Sequence, residues 1–164
     1  MKFVNEIEAQ APAAAAWQLL GERFGDIASW SSGIDASQLD GELGVGATRE
    51  CRSSESFGPF PPSVVREKLT LFDRERMELQ YEVEAGLPPF LQRASNHWRV
   101  EPRGTGGCRI VSEAELTFRW WALPLQLLLP VIMRSELRAF SAELKRAVEG
   151  EAACPTSTTA EIGA

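Results

Sequence analysis

Histidine is almost absent: His97 is the only one in 164 residues. A His-based metal cluster is therefore excluded, and with no GxSxG motif no Ser-His-Asp arrangement can be argued. Cysteine is scarce as well. Cys51, Cys108 and Cys154 are far apart, odd in number and without a CxxC pair, which argues against a disulfide framework or a structural zinc site. Clustered positive charge is missing. The 17 Lys and Arg are scattered among 23 Asp and Glu, for a net charge of −6, which argues against nucleic acid and against an anionic membrane surface. No apolar signal stretch opens the chain at Met1–Glu6, so the default location is the cytoplasm. Long hydrophobic runs are also lacking. The nearest, Phe118 to Met133, is interrupted by Arg119, Pro124, Gln126 and Pro130 and falls short of the ~20 residues that span a bilayer. It reads as the start of a buried helix, with transient contact at a membrane surface as the other reading. Gly41-x-x-Gly44-x-Gly46 has the wrong order and context for a dinucleotide fingerprint and reads as a turn. No motif calls for a cofactor or a metal, and nothing fixes an oligomeric state.

What is present is a globular composition, 44% hydrophobic, on a chain long enough for one sizeable core. Lys2 to Ala9 alternates as a strand. Pro12 opens a helix over Ala13 to Leu20, Gly21 stops it, and Phe24 to Trp30 makes a second short helix. A short strand near Ser37 to Gly41 precedes strands at Ala47–Ser54, Ser63–Phe72 and Arg76–Glu84. A hairpin follows, Ser95–Glu101 with Cys108–Phe118, turning on Gly104 to Gly107. Short loops between successive strands imply an antiparallel sheet. The last element is a helix from Leu123 to Glu149 with Leu125, Leu129, Ile132, Met133, Leu137, Phe140, Leu144 and Val148 on one face, kinked or started at Pro130. Residues 151–164 are small, polar and poor in anchors, and read as a disordered tail.

Several local motifs fall in a telling order. Ala11-Pro12 with Trp17 resembles an "APxxxxW" opening. Gly44-Val45-Gly46-Ala47-Thr48-Arg49 resembles "GxGxxR". Val65-Arg66-Glu67-Lys68-Leu69 through Asp73 resembles "ERLxxxD". Tyr81, Trp98-Arg99-Val100 and the terminal Leu144 to Glu149 complete the pattern. Over residues 1–150 the chain resembles the START/Bet v 1 superfamily, also described as polyketide cyclase/dehydrase and lipid-transport-like proteins. The resemblance implies a single α+β domain of the helix-grip type. A curved antiparallel sheet of six to seven strands would surround a long C-terminal helix, with two short helices after the first strand. It also implies a cavity for a lipid-, sterol- or polyketide-like molecule, and leaves a cyclase or aromatase as the alternative to a binder or carrier. No catalytic residue is assigned.

The candidate ligand residues follow from side-chain parity. Glu67 shares parity with Val65, Leu69 and Leu71 and should point inward, where a carboxylate needs a partner. Arg49 is the natural one. A sheet-fixing salt bridge, a ligand anchor and a general acid or base all remain open for the pair. Centring the hairpins on Gly58, on Arg74, between Pro89 and Phe90, and on Thr105 places Arg49, Glu67, Tyr81, Trp98 and Ser112 in one inward row, unless a bulge intervenes. His97 has the opposite parity and should face solvent. The loop Ser56 to Pro62 carries Phe57 and Phe60 and is either a rigid hairpin loop or a lid over the cavity mouth. Trp30, Trp120 and Trp121 belong to the wall or mouth, and Ile132, Met133 and Leu137 should face inward from the terminal helix.

Overall fold

Alternating sequence becomes a single curved sheet. The computed structural model describes residues 1–56 and 59–153. Its strands are β1 (Lys2–Ala9), β2 (Ala36–Asp40), β3 (Thr48–Ser53), β4 (Ser63–Asp73), β5 (Glu78–Ala85), β6 (Leu91–Arg103) and β7 (Gly107–Phe118). They form a seven-stranded antiparallel sheet in the order β1-β7-β6-β5-β4-β3-β2. Alternate side chains segregate as the pleat requires. Leu69, Leu79, Val100 and Ile110 are buried on the concave face. The convex face carries ion pairs such as Lys2 with Glu113 at 2.6 Å and Arg93 with Glu82 at 2.9 Å.

Between β1 and β2 the chain turns across one end of the sheet. α1 (Ala13–Trp17) is followed without a stop by a π turn over Gln18–Glu22 and a 3-10 turn over Phe24–Ser29. Gly21 does not end the helix. It lies inside the π turn because Trp17 packs across it: a Cβ there would meet the indole at 2.6 Å. The extra residue of the wide turn brings Leu19, Leu20 and Arg23 to the concave space.

The expected single terminal helix is two. α2 (Leu125–Ile132) contains Pro130, and α3 (Arg134–Ala153) runs four residues beyond the expected end. The break falls at Met133, where ψ opens to −7°, rather than at Pro130, and backbone bonds from Met133 to Leu129 and from Leu137 to Met133 carry the chain across it. The change of direction rotates Ile132 outward to 41% exposure. Ile132 is thus not an inward residue.

α3 closes the concave face. Leu144 and Val148 are fully buried against Ile7, Trp17, Leu79, Val100 and Ile110, each such side chain contributing about 1.5–3 kcal/mol. A second cluster, Leu91, Phe118, Ala122, Leu129 and Met133, seats α2. Between them, under the first turns of α3, the concave face is not filled.

Candidate ligand-binding site

That unfilled space is a cavity in two chambers. The inner one, about 350 Å³, is walled by Phe24, Leu79, Trp98, Ala114, Leu137 and Phe140 among others. The outer one, about 640 Å³, lies towards the surface among Phe60, Val83, Leu87, Leu91, Leu116 and Ala139. Ile27, Ile34, Val65 and Phe140 line both, so the chambers adjoin. Trp30 and Trp98 both pack on Phe140, with ring centroids 5.5 and 6.3 Å away. The loop at Ser32 is clasped to α3 through Glu143.

Polar groups gather at the inner end. Arg49, on β3, faces Glu67, on β4, in the expected register. Its Nε and Nη2 donate to Oε2 of Glu67 at 2.8 and 2.5 Å, and Nη1 donates to the carbonyl of Phe24 at 2.7 Å. The guanidinium also lies 3.9 Å from the Phe24 ring centroid and 5.4 Å from that of Tyr81. Burial works against the Arg49 charge, but Glu67 more than restores it and the guanidinium is held above its ordinary range. The Cys51 thiol donates to the same Oε2 at 3.8 Å. Burial pushes this thiol up to about 12, so it is a neutral group and not a nucleophile.

The row of five expected from the hairpins is broken in the middle. Trp98 does face Ser112, but Glu67 faces Val83, and Tyr81 faces Leu69 on one side and Asn96 on the other. On the β4 side the cause is the turn Arg74–Met77, which is longer than a turn centred on Arg74 and ends with Met77 at φ 53°. A bulge between Leu69 and Leu71 then takes back one residue. On the β6 side the register is centred between Pro88 and Pro89, one residue before the expected centre. The displacement at Tyr81 is two residues, so its side chain keeps its inward face. Asn96 becomes its neighbour instead of Trp98. Ser112 donates to Asn96 Oδ1 at 2.9 Å, and Asn96 Nδ2 reaches the phenol oxygen at 3.5 Å.

Arg49, Glu67, Tyr81, Trp98, Ser112, Trp30 and Leu137 all line the inner chamber, and Phe60 lines the outer one with its ring 5.7 Å from Phe90. Met133 does not line either chamber: it is buried in the second cluster beneath α2. Phe57 lies outside the described residues. Asn96, Cys51 and Phe140 were not among the expected ligand contacts. The inward parity of Asn96 was readable from its strand. His97 is on the convex face, only a quarter exposed, 3.7 Å from Glu78, so it faces away from the cavity but is less open to solvent than expected.

Burial pushes the Tyr81 phenol up to about 12, Glu67 acting in the same direction against Arg49, Trp98 and Asn96. Tyr81 is the only tyrosine, so this can be read directly. Tyrosinate absorbance of the folded protein should titrate near 12 rather than at the ordinary 10.0. With the folded value raised, the phenol stabilises the fold fully below the unfolded value, and that contribution is lost as pH climbs towards 12. A midpoint at the ordinary value would place Tyr81 in contact with bulk water.

Comparison with known proteins fits this geometry. A family model described as polyketide cyclase / dehydrase and lipid transport matches residues 1–149. Among solved structures, Ara h 8.0201 is similar at a TM-score of 0.71 and 18% identity, over 93% of this chain and 97% of its own. Norcoclaurine synthase from Thalictrum flavum, in complex with dopamine and hydroxybenzaldehyde, is similar at 0.70 and 20% identity, over 90% and 86%. The Zhui aromatase/cyclase from a Streptomyces species is similar at 0.71 and 15% identity, over 94% of each chain. No curated protein matches the sequence. At such identities the structural likeness shows the fold alone.

Proposed function

Because the chain belongs to the polyketide cyclase / dehydrase and lipid transport family, we propose that it binds and carries a small hydrophobic molecule between sheet and α3. The carrying observation is the pair of adjoining apolar chambers, about 350 and 640 Å³, within the size range of small-molecule sites. A cyclase needs a base or nucleophile on the wall. Here the Cys51 thiol and the Tyr81 phenol are held protonated, His97 is on the other face of the sheet, and among the described residues the inner wall carries a single carboxylate, Glu67, which is paired with Arg49 through Oε2. These features favour a carrier over an enzyme.

The surface beside the outer chamber supports loading at a lipid bilayer. Among the described residues no helix is long and apolar enough to cross a membrane. Yet Trp120, Leu127 and Val131 are 82, 82 and 75% exposed, with Trp121 and Leu128 beside them. Exposed Arg119, Arg134 and Arg138 flank this apron. The whole chain is acidic, but between Phe118 and Ala139 three arginines face only Glu136. An apolar face edged by tryptophan and arginine suits an interfacial position.

Native mass spectrometry of the chain incubated with a mixed lipid and sterol extract tests the carrier reading. A retained ligand is expected, and Ala114→Phe, which fills the inner chamber from β7, should reduce it at least about tenfold. No adduct, or an adduct indifferent to Ala114→Phe, would remove the case for a cavity ligand.

A further inference from the structure

We infer that the inner chamber selects ligands whose polar end donates hydrogen bonds, a hydroxyl or a protonated amine, and rejects carboxylates. This rests on the carrier reading and specifies its ligand. Both contacting nitrogens of Arg49, and the Cys51 thiol, meet the same atom of Glu67, Oε2. Among the described residues Oε1 has no hydrogen-bond partner, and it is not among the side-chain atoms sealed from solvent. A charged acceptor therefore faces the chamber.

Arg49 cannot play the complementary part. Its side chain is 5% exposed against 12% for Glu67. Three of its contacts are taken by Glu67 and the Phe24 carbonyl, and the rings of Phe24 and Tyr81 lie over it. The cation stands behind the anion. A ligand carboxylate therefore finds no open contact at Arg49.

The second group on offer is Tyr81. Its oxygen accepts from Asn96, which leaves its own proton for a guest. Held protonated, the phenol stays a donor. A hydroxyl can donate to Glu67 Oε1 and accept from Tyr81 at once. An ammonium satisfies Glu67 as a charge-assisted donor. A carboxylate meets a like charge at Oε1 and gains only the phenol. Its apolar body would run past Val65 and Phe140 into the outer chamber.

The test uses the wild-type chain and three ligands of one chain length: decanol, decylamine and decanoate. Each displaces the apolar dye N-phenyl-naphthylamine at neutral pH. Decanol and decylamine should compete at least about tenfold more tightly than decanoate, the scale of one hydrogen bond to a charged group. Equal competition, or tighter decanoate, overturns the inference while leaving a working cavity. Failure of the dye itself to bind strikes instead at the carrier reading. In Glu67→Gln the order should invert, because Arg49 is left without its counter-ion. Should that variant fold poorly, Glu67→Gln with Arg49→Met should bring the three ligands within about threefold of one another. A persistent preference for the amine in the double variant would also count against the assignment.

Discussion

Replacing Trp120 and Leu127 by serine should weaken binding to lipid vesicles about ten- to a hundredfold while leaving the fold intact. Both side chains are 82% exposed, so their loss removes no packing and the melting temperature should stay within a degree or two of wild type. A large apolar side chain fully taken from water contributes about 1.5–3 kcal/mol. Two of them account for roughly a hundredfold in partitioning, and about tenfold at half that depth. The measurement is co-sedimentation with phosphatidylcholine vesicles, with and without phosphatidylglycerol. Wild type should bind both, and more tightly when anionic lipid is present, because Arg119, Arg134 and Arg138 edge the apron. That preference should fade with added salt while the apolar part remains. Failure of wild type to sediment with either vesicle would refute the docking. A doubled mass by light scattering that the same substitutions abolish would assign the apron to a second copy of the chain.

The apron also shows where sequence reading stops. The run from Phe118 to Met133 was legible as too short to span a bilayer. Helical spacing put Leu129 and Met133 on the covered face and left Leu127 and Val131 off it, as the structure has them. It did not show that the helix ends at Met133, and Ile132, counted on the covered face, is 41% exposed. Where polar and apolar residues alternate, the outcome was different. In β4 and β7 the parity of Glu67 and Ser112 is unambiguous, because one step along a strand reverses the face.

Register was legible only where turns were regular. The Arg49–Glu67 and Trp98–Ser112 pairs follow from centring two hairpins. The pairs on either side of Tyr81 do not, because turn length and bulges are decided by local backbone choices such as the positive φ of Met77. No pattern of polar residues encodes them. Parity survived because the errors at Tyr81 amount to two residues, so the same side chains still line the chamber. The identity of their partners did not survive: Asn96, rather than Trp98, sits across from Tyr81. The two-way use of Glu67, one oxygen inward to Arg49 and one towards the cavity, depends on side-chain geometry that the sequence does not carry.

The same asymmetry predicts how the pair behaves when it is taken apart. Glu67→Gln should lower the unfolding free energy by about 3–5 kcal/mol, the usual cost of leaving one partner of a buried pair uncompensated. Arg49 has no escape, since a guanidinium does not give up its proton and its side chain is 5% exposed beneath two aromatic rings. Arg49→Met should cost less. Methionine keeps the apolar stem against Phe24 and Tyr81, and the carboxylate left behind borders the chamber and can take up a proton or meet a guest. The double variant should be more stable than Glu67→Gln alone, because removing both charges also removes their desolvation. Urea unfolding of the three variants measures this, and the coupling should reach about 1–3 kcal/mol. Phe24 sets a lower limit on the cost of losing Arg49, since its carbonyl forfeits a 2.7 Å donor in every variant that lacks the guanidinium. Additive effects would mean that Arg49 and Glu67 are held in place independently. The layered arrangement, cation behind anion, would then have no energetic basis.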